Sequence, residues 1–287
     1  MKRIPQIGIM SGRLSEPVRN EIQAFPRYSW REEFERASNY GFELIEWVFD
    51  SYENNPILDH DQIKVIRTLS EKYGIKINAI CADYFMEKKL FNVSEYNLEK
   101  NLNVLKSLIE RCSYLEIKIL EIPLVDSSSL KNNKDKEELI SNIGNVLSIS
   151  EKNDVKITLE TDLPPRSFKD LLLRFNHPNI QANYDTGNST SLGYDVKEEF
   201  NEFGSWITNI HIKDRTYNGK TVPLGSGDTN FDLFFTTLKK INYTGDLIIQ
   251  GARELDDPEI KPEHTCKKYL DFVKQYVDKY LNYKDGE

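Results

Sequence analysis

The segments KITLET (residues 156–161), QANYDT (181–186), ITNIHIKD (207–214) and GDLIIQGAR (245–253) decide how this chain is read. Each is a short apolar run closing on a polar side chain, namely Glu160, Asp185, His211 and Gln250. Those positions are separated by 25, 26 and 39 residues. Each gap accommodates a loop, a helix, a return loop and a strand, with extra loop in the last. If strand and helix alternate, all four side chains arrive at the same end of adjacent strands, where barrel enzymes place their chemistry.

The same alternation extends outward to both ends of the chain and gives eight βα units. Strands are expected at Ile4 to Met10, Leu44 to Phe49, Ile75 to Ala82, Ile117 to Pro123, Lys156 to Glu160, Ile180 to Tyr184, Ile207 to Ile212 and Leu247 to Gln250. Helices are expected near Trp30 to Asn39, Asp61 to Tyr73, Glu95 to Cys112, Lys134 to Asn153, Ser167 to Phe175, Val196 to Phe203, Phe231 to Ile241 and Glu263 to Tyr283. The fourth of these repeats apolar residues at Leu139, Ile140, Ile143, Val146 and Leu147, a stripe that should face the sheet. Ser29, Asp59, Ser94 and Asn230 are start signals, and Gly41 and Gly74 stand where a helix must close in a left-handed turn. No Pro-, Ser- or Gly-rich linker interrupts the rhythm. The expectation is an α/β fold, a (β/α)8 or TIM barrel forming one domain over residues 1–287. The segment Val125 to Asp135, with its polar run DSSSLKNNKD, reads as a long loop at the functional end, either a lid or a mobile surface loop.

Bulk properties narrow the function. Residues are 39% hydrophobic and 29% charged, with no apolar run of the ~18 residues that would cross a membrane and no secretory signal pattern, so a cytoplasmic protein is expected. Cys81, Cys112 and Cys266 are widely spaced without a CxxC pair, which argues against a disulfide framework or structural zinc. The net charge of −8, with lysines interspersed among acids, argues against a nucleic-acid partner.

Two carboxylates, an imidazole and an amide oxygen make a natural set for one divalent ion, Mn²⁺ or Mg²⁺ first, Co²⁺ or Zn²⁺ as alternatives. Glu160 and Asp185 would cancel the ion's charge, and neutral His211 and Gln250 would add none. Such an ion could polarise a sugar carbonyl and its neighbouring hydroxyl. Glu160 ends an apolar strand, where an unpaired carboxylate is costly. Asp185, before TGN, equally suits a turn cap, and His211 alone would suit a core histidine. Their register across consecutive units joins them.

The ordered residues resemble the xylose isomerase-like barrels, the sugar phosphate isomerase and epimerase group related to family 2 AP endonucleases. The resemblance runs through GIMSGRL (8–14), GFELIEW (41–47), INAICADYF (77–85), LETDL (159–163), HIKD (211–214) and VPLGSGDTNF (222–231). It implies Glu160, Asp185, His211 and Gln250 as metal ligands. It also implies a small carbohydrate substrate and, since such barrels are often dimers or tetramers, a homo-oligomer. In the family's ketose epimerases, glutamates on strands five and eight both bind the metal and exchange protons on opposite faces of the substrate. Gln250 replaces the second here, and Asn188 stands where the family often has histidine. An amide in place of a positioned acid or base forfeits about 3–5 kcal/mol. The departures favour one-base chemistry, with Glu160 serving an isomerisation or a dehydration and Gln250 and Asn188 completing the catalytic set.

Glu46, Asp83 and Glu121 at other strand ends are candidates for a missing acid or for binding sugar hydroxyls. Arg13, Lys213, Arg215 and Arg253 either bind an anionic substrate or neutralise the acids around them. The GSG of 225–227 either presents amides to an anion or is a turn. Trp47, Tyr84 and Phe85 either wall the sugar site or pack the core. The leading expectation is a metal-dependent isomerase or epimerase of a sugar, sugar phosphate or sugar acid. Its alternatives are a dehydratase of the same fold and a sugar-binding barrel without catalysis. An AP endonuclease is disfavoured by four histidines and the acidic balance.

Overall fold

The computed structural model describes residues 3–18, 23–253 and 261–282. Eight parallel strands close into a barrel: β1 (Ile7–Met10), β2 (Leu44–Val48), β3 (Lys76–Cys81), β4 (Ile119–Leu124), β5 (Lys156–Thr161), β6 (Ile180–Asp185), β7 (Ile207–Ile212) and β8 (Asp246–Ile249). Closure pairs β1 with β8, Ile7 lying opposite Leu247, so segments from the two ends of the chain share one wall. Helices over Trp30–Tyr40, Gln62–Tyr73, Glu95–Tyr114, Asn133–Gly144, Pro165–Phe175, Val196–Phe203, Phe231–Ile241 and Pro262–Tyr280 connect or follow the strands. The expected strand and helix order is therefore observed, and the predicted helix end at Tyr283 lies outside the described residues.

The strands alternate between two environments. On β7, Ile210 and Ile212 pack in the main apolar core, whereas Asn209 and His211 bond to polar groups from other strands inside the barrel. This period of two puts a polar layer at the centre of an otherwise oily molecule. Further down the barrel the filling is apolar and tight. A Cβ on Gly8 would stand 2.7 Å from Ile248 Cδ1 and 2.8 Å from Leu44 Cβ, so only glycine fits beside those side chains.

Local signals act largely as expected. Gly41 and Gly74 close their helices with φ of 82° and 67°. Ser94 and Asn230 cap through their side chains, while Asp59 Oδ1 accepts from the amides of Asp61 and Gln62. Ser29 makes no side-chain cap bond. The predicted helix over Lys134 to Asn153 is broken, Asn133–Gly144 being followed by a separate turn of helix at Leu147–Lys152. The break swings Val146 fully into the core along with Leu139 and Ile143, while Ile140 and Leu147 are only partly covered.

The 126–135 segment is neither an open lid nor a free loop. Ser128 Oγ donates to the Pro123 and Val125 carbonyls, Ser129 Oγ bonds Asp162, and Leu130 is buried. Trp47, Tyr84 and Phe85 serve the core. Trp47 packs against Phe25 with ring centroids 4.8 Å apart and the rings tilted by 41°, and it donates its indole N–H to Asn55 at 2.9 Å. Tyr84 packs between Phe49 and Phe85.

Candidate metal centre

Glu160, Asp185 and His211 converge at the C-terminal ends of β5, β6 and β7. One ligand atom from each lies within 4.8 Å of the others, and all three side chains are buried. The register explains the meeting: Asp185 lies opposite His211 across β6 and β7. His211 Nδ1 is 3.3 Å from Glu160 Oε2. Asp185 also caps the short helix Thr186–Leu192, its Oδ1 accepting from Asn188 N at 2.8 Å. The cap and candidate-ligand readings of Asp185 thus coexist in one carboxylate.

The other side of the imidazole is tied down. His211 Nε2 lies 2.7 Å from Glu46 Oε2 and 3.1 Å from Glu121 Oε2, both acids being wholly buried. A carboxylate can only accept, so the ring donates from Nε2 and turns Nδ1 toward Glu160. A carboxylate behind a histidine, fixing its tautomer and ring angle, is the usual support of an imidazole ligand. Glu46 and Glu121, expected near substrate hydroxyls, therefore sit beneath His211 instead. Asn209 Nδ2 donates to Glu46 Oε1 at 3.0 Å and completes this support.

The charges are strongly coupled. Burial alone would lower the His211 pKa, but Glu121 and Glu46 override it and hold the ring well above the ordinary imidazole value. Burial raises Glu121 well above the carboxylate range despite His211. Burial also pushes Glu160 upward, but His211, by hydrogen bond and charge, and then Lys213 pull it down to about 2. Glu160 is further held by Asn183 Nδ2 at 2.8 Å and Asn188 Nδ2 at 2.6 Å. Binding a cation at His211 requires the ring to surrender its Nδ1 proton, so metal uptake here is coupled to proton release.

Gln250 follows β8, anchored by its backbone N–H to Ile212 O at 2.9 Å. Its side-chain nitrogen donates to Gln23 Oε1 at 2.8 Å and contacts Met10 Sδ at 3.2 Å. Its oxygen is buried without a hydrogen-bond partner. An orphaned amide oxygen is costly in a protein interior, and a cation would relieve it. That oxygen and the cluster of Glu160, Asp185 and His211 are donors of the chemical kind that a divalent ion takes.

The remaining predicted residues divide. Asp83 is half-buried just past β3, accepting from Gln23 Nε2 at 2.6 Å, and burial lifts its pKa to about 6. Lys213 pairs with Asp185 at 2.7 Å. Arg215 donates to Asn188 Oδ1 at 3.0 Å and to Gly219 O at 2.8 Å. Arg253 grips the carbonyls of Ser15 and Gly12, which makes it a clasp between the two ends of the chain. Arg13 is buried and reaches Gln23 Oε1 at 3.3 Å. The GSG amides are already used: Gly225 N and Gly227 N each donate to Asp214 Oδ2 at 2.9 Å. Asn183, Asn209 and Gln23 were missed by reading strand ends alone. The signal for the first two was present, because each lies two residues before a candidate ligand and so faces the same way. Gln23 lies in a loop and carried no such signal.

The fold and site define a (β/α)8 barrel with a candidate divalent-metal centre at its C-terminal mouth. The sequence matches the Xylose isomerase-like TIM barrel family over residues 34–276, and the chain belongs to that family. It is 23% identical over 262 residues to L-ribulose-5-phosphate 3-epimerase UlaE of Shigella flexneri, covering 87% of this chain and 90% of that one. Among solved structures, an L-ribulose 3-epimerase superposes with a TM-score of 0.77 at 15% identity, covering 100% of both chains. The IOLI protein with a bound zinc atom also gives 0.77, at 17% identity over 97% of this chain and 100% of that one. No helix among the described residues is long and apolar enough to cross a membrane.

Proposed function

We propose that the protein is a divalent-metal-dependent epimerase or isomerase of a small ketose, its phosphate or a related sugar acid. The observation that carries this reading is the meeting of Glu160, Asp185 and His211 within 4.8 Å, with the partnerless Gln250 oxygen ending the neighbouring strand. The family membership and the epimerase relatives support the substrate class. Mn²⁺ or Mg²⁺ suits three oxygen donors and one imidazole, and the zinc-bearing relative keeps Zn²⁺ and Co²⁺ in the panel to be tried. When bound, such an ion polarises a carbonyl and an adjacent hydroxyl and so acidifies the carbon-bound proton between them.

The chain's own groups then divide the work. Glu160 is the base that takes the carbon-bound proton. Asn183 and Asn188 fix its two oxygens, and the Lys213 cation nearby favours its anionic form. Asn188 and Arg215 form a polar edge beside it, suited to hold substrate oxygens. Gln250 cannot exchange a proton, so the simplest chemistry has Glu160 return the proton on the same face to the neighbouring carbon while the hydroxyl proton passes to the former carbonyl oxygen, an aldose–ketose isomerisation. Epimerisation is the second reading, favoured by the relatives and by Asp83. That carboxyl, with a pKa raised by burial to about 6, is tuned to give up a proton near neutral pH.

Proton exchange decides the matter. The Mn²⁺-loaded protein should incorporate solvent deuterium into a ketose or ketose phosphate by NMR, and Glu160→Gln should slow this by about 10²–10⁴. Asp83→Asn should abolish epimer formation while sparing isomerisation. Full exchange in Glu160→Gln, or in chelator-stripped protein, would defeat the assignment.

A further inference from the structure

We infer that Gln23, in the loop after β1, fixes the orientation of the Gln250 amide so that its oxygen is the end left for the cation. The inference rests on the proposed role of Gln250 as a ligand, and it concerns a residue outside the expected metal set.

An amide side chain presents two ends of similar shape and opposite hydrogen-bond character, so a ligating glutamine binds metal only when its oxygen points the right way. A glutamate at this position would have no such problem, because both ends are oxygen. Substituting Gln250 for an acid therefore creates a need for orientation, and the neighbours meet it. Gln23 Oε1 accepts from Arg13 Nη2 at 3.3 Å and Gln23 Nε2 donates to Asp83 Oδ2 at 2.6 Å. A guanidinium has only donors and a carboxylate only acceptors, so reversing Gln23 would set donor against donor and oxygen against oxygen. Its orientation is thus dictated by chemistry.

Gln23 then offers an oxygen to Gln250, whose nitrogen must answer at 2.8 Å. The second N–H of Gln250 meets Met10 Sδ at 3.2 Å, a thioether that can only accept. Both partners call for the nitrogen at the same end, which leaves Oε1 buried and unpartnered. The order is Arg13 and Asp83 to Gln23, and Gln23 to Gln250. Gln23 is accordingly a positioning residue, acting on the metal through another side chain.

The test is a Mn²⁺ titration of chelator-stripped full-length protein, with free Mn²⁺ read by electron paramagnetic resonance. Gln23→Met keeps the length but removes the acceptor, and should weaken Mn²⁺ binding about 10–100-fold, the usual effect of losing the support of a ligand. In a Gln250→Glu background, where either end can ligate and an oxygen at residue 23 would only face a carboxylate oxygen, the same change should not weaken binding. Equal losses on Gln23→Met in both backgrounds would mean a merely structural role and overturn the inference, as would unchanged affinity in Gln23→Met alone. Absence of Mn²⁺ uptake by the parent chain would sink the functional reading as well, so the two failures are distinguishable.

Discussion

Replacing Glu46 with glutamine tests whether His211 is held as a ligand or only as a buried ion-pair partner. The carboxylate serves two donors at once, His211 Nε2 at 2.7 Å and Asn209 Nδ2 at 3.0 Å. An amide of the same shape has one acceptor and one donor end, so whichever way it lies one N–H meets another donor. The conflict with Asn209 cannot be relieved by tautomerism, but the one with His211 can. If the amide nitrogen faces the ring, either Nε2 gives its proton wholly to the contact with Glu121, 3.1 Å away, or Nε2 becomes the acceptor and Nδ1 carries the proton. That proton would then stand on the nitrogen 3.3 Å from Glu160 Oε2, where a metal ligand needs a lone pair. Forcing the ring back costs about one charge-assisted hydrogen bond, roughly 1.5–3 kcal/mol, which is about 10–100-fold in metal affinity. Folding stability should fall less, because removing a buried carboxylate also removes its desolvation cost. Calorimetric Mn²⁺ titration of Glu46→Gln gives the affinity, and ¹⁵N NMR of the imidazole gives the tautomer. Affinity within twofold of the parent, with Nε2 still protonated, would refute the reasoning.

Three further outcomes follow from the same structure. Glu199, buried against Tyr184 and Ser189, has its pKa raised by burial from 4.5 to about 7, so the folded state binds its proton more tightly than the unfolded state does. Its contribution is full below pH 4.5 and is lost as pH rises toward 7, about 3 kcal/mol in all, and urea melts of Glu199→Gln should show that slope removed. In Gly187→Ala the new Cβ would stand 2.7 Å from Lys213 Cγ and 3.0 Å from its Cβ, so the lysine stem must shift from its place beside Asp185; substrate turnover should drop at least tenfold, and stability should fall by roughly the 1–3 kcal/mol of an overpacked site. Asp214→Asn removes the anion that gathers Gly225 N, Gly227 N and Thr229 N, and should cost about 2 kcal/mol with faster proteolysis confined to residues 223–230.

Sequence periodicity by itself determined the eight alternating units and the arrival of Glu160, Asp185 and His211 at one end of the barrel. These are consequences of local pattern: strands read with period two, helices with period near 3.6, and equal spacing carries like ends to like places. The broken fourth helix shows where local pattern fails, since its apolar stripe continued through Asn145 while packing required Val146 to turn inward. Tertiary structure alone decided who partners whom. Glu46 and His211 are 165 residues apart, and Gln23 and Gln250 are 227 apart, contacts that exist only because β1 closes against β8. It also turned Arg253 from a candidate anion binder into a clasp on the Gly12 and Ser15 carbonyls, and Asp214 into the anchor of the glycine loop. A side chain's chemistry is written in the sequence, but which of its donors and acceptors remain unspent depends on neighbours that the closed barrel brings together.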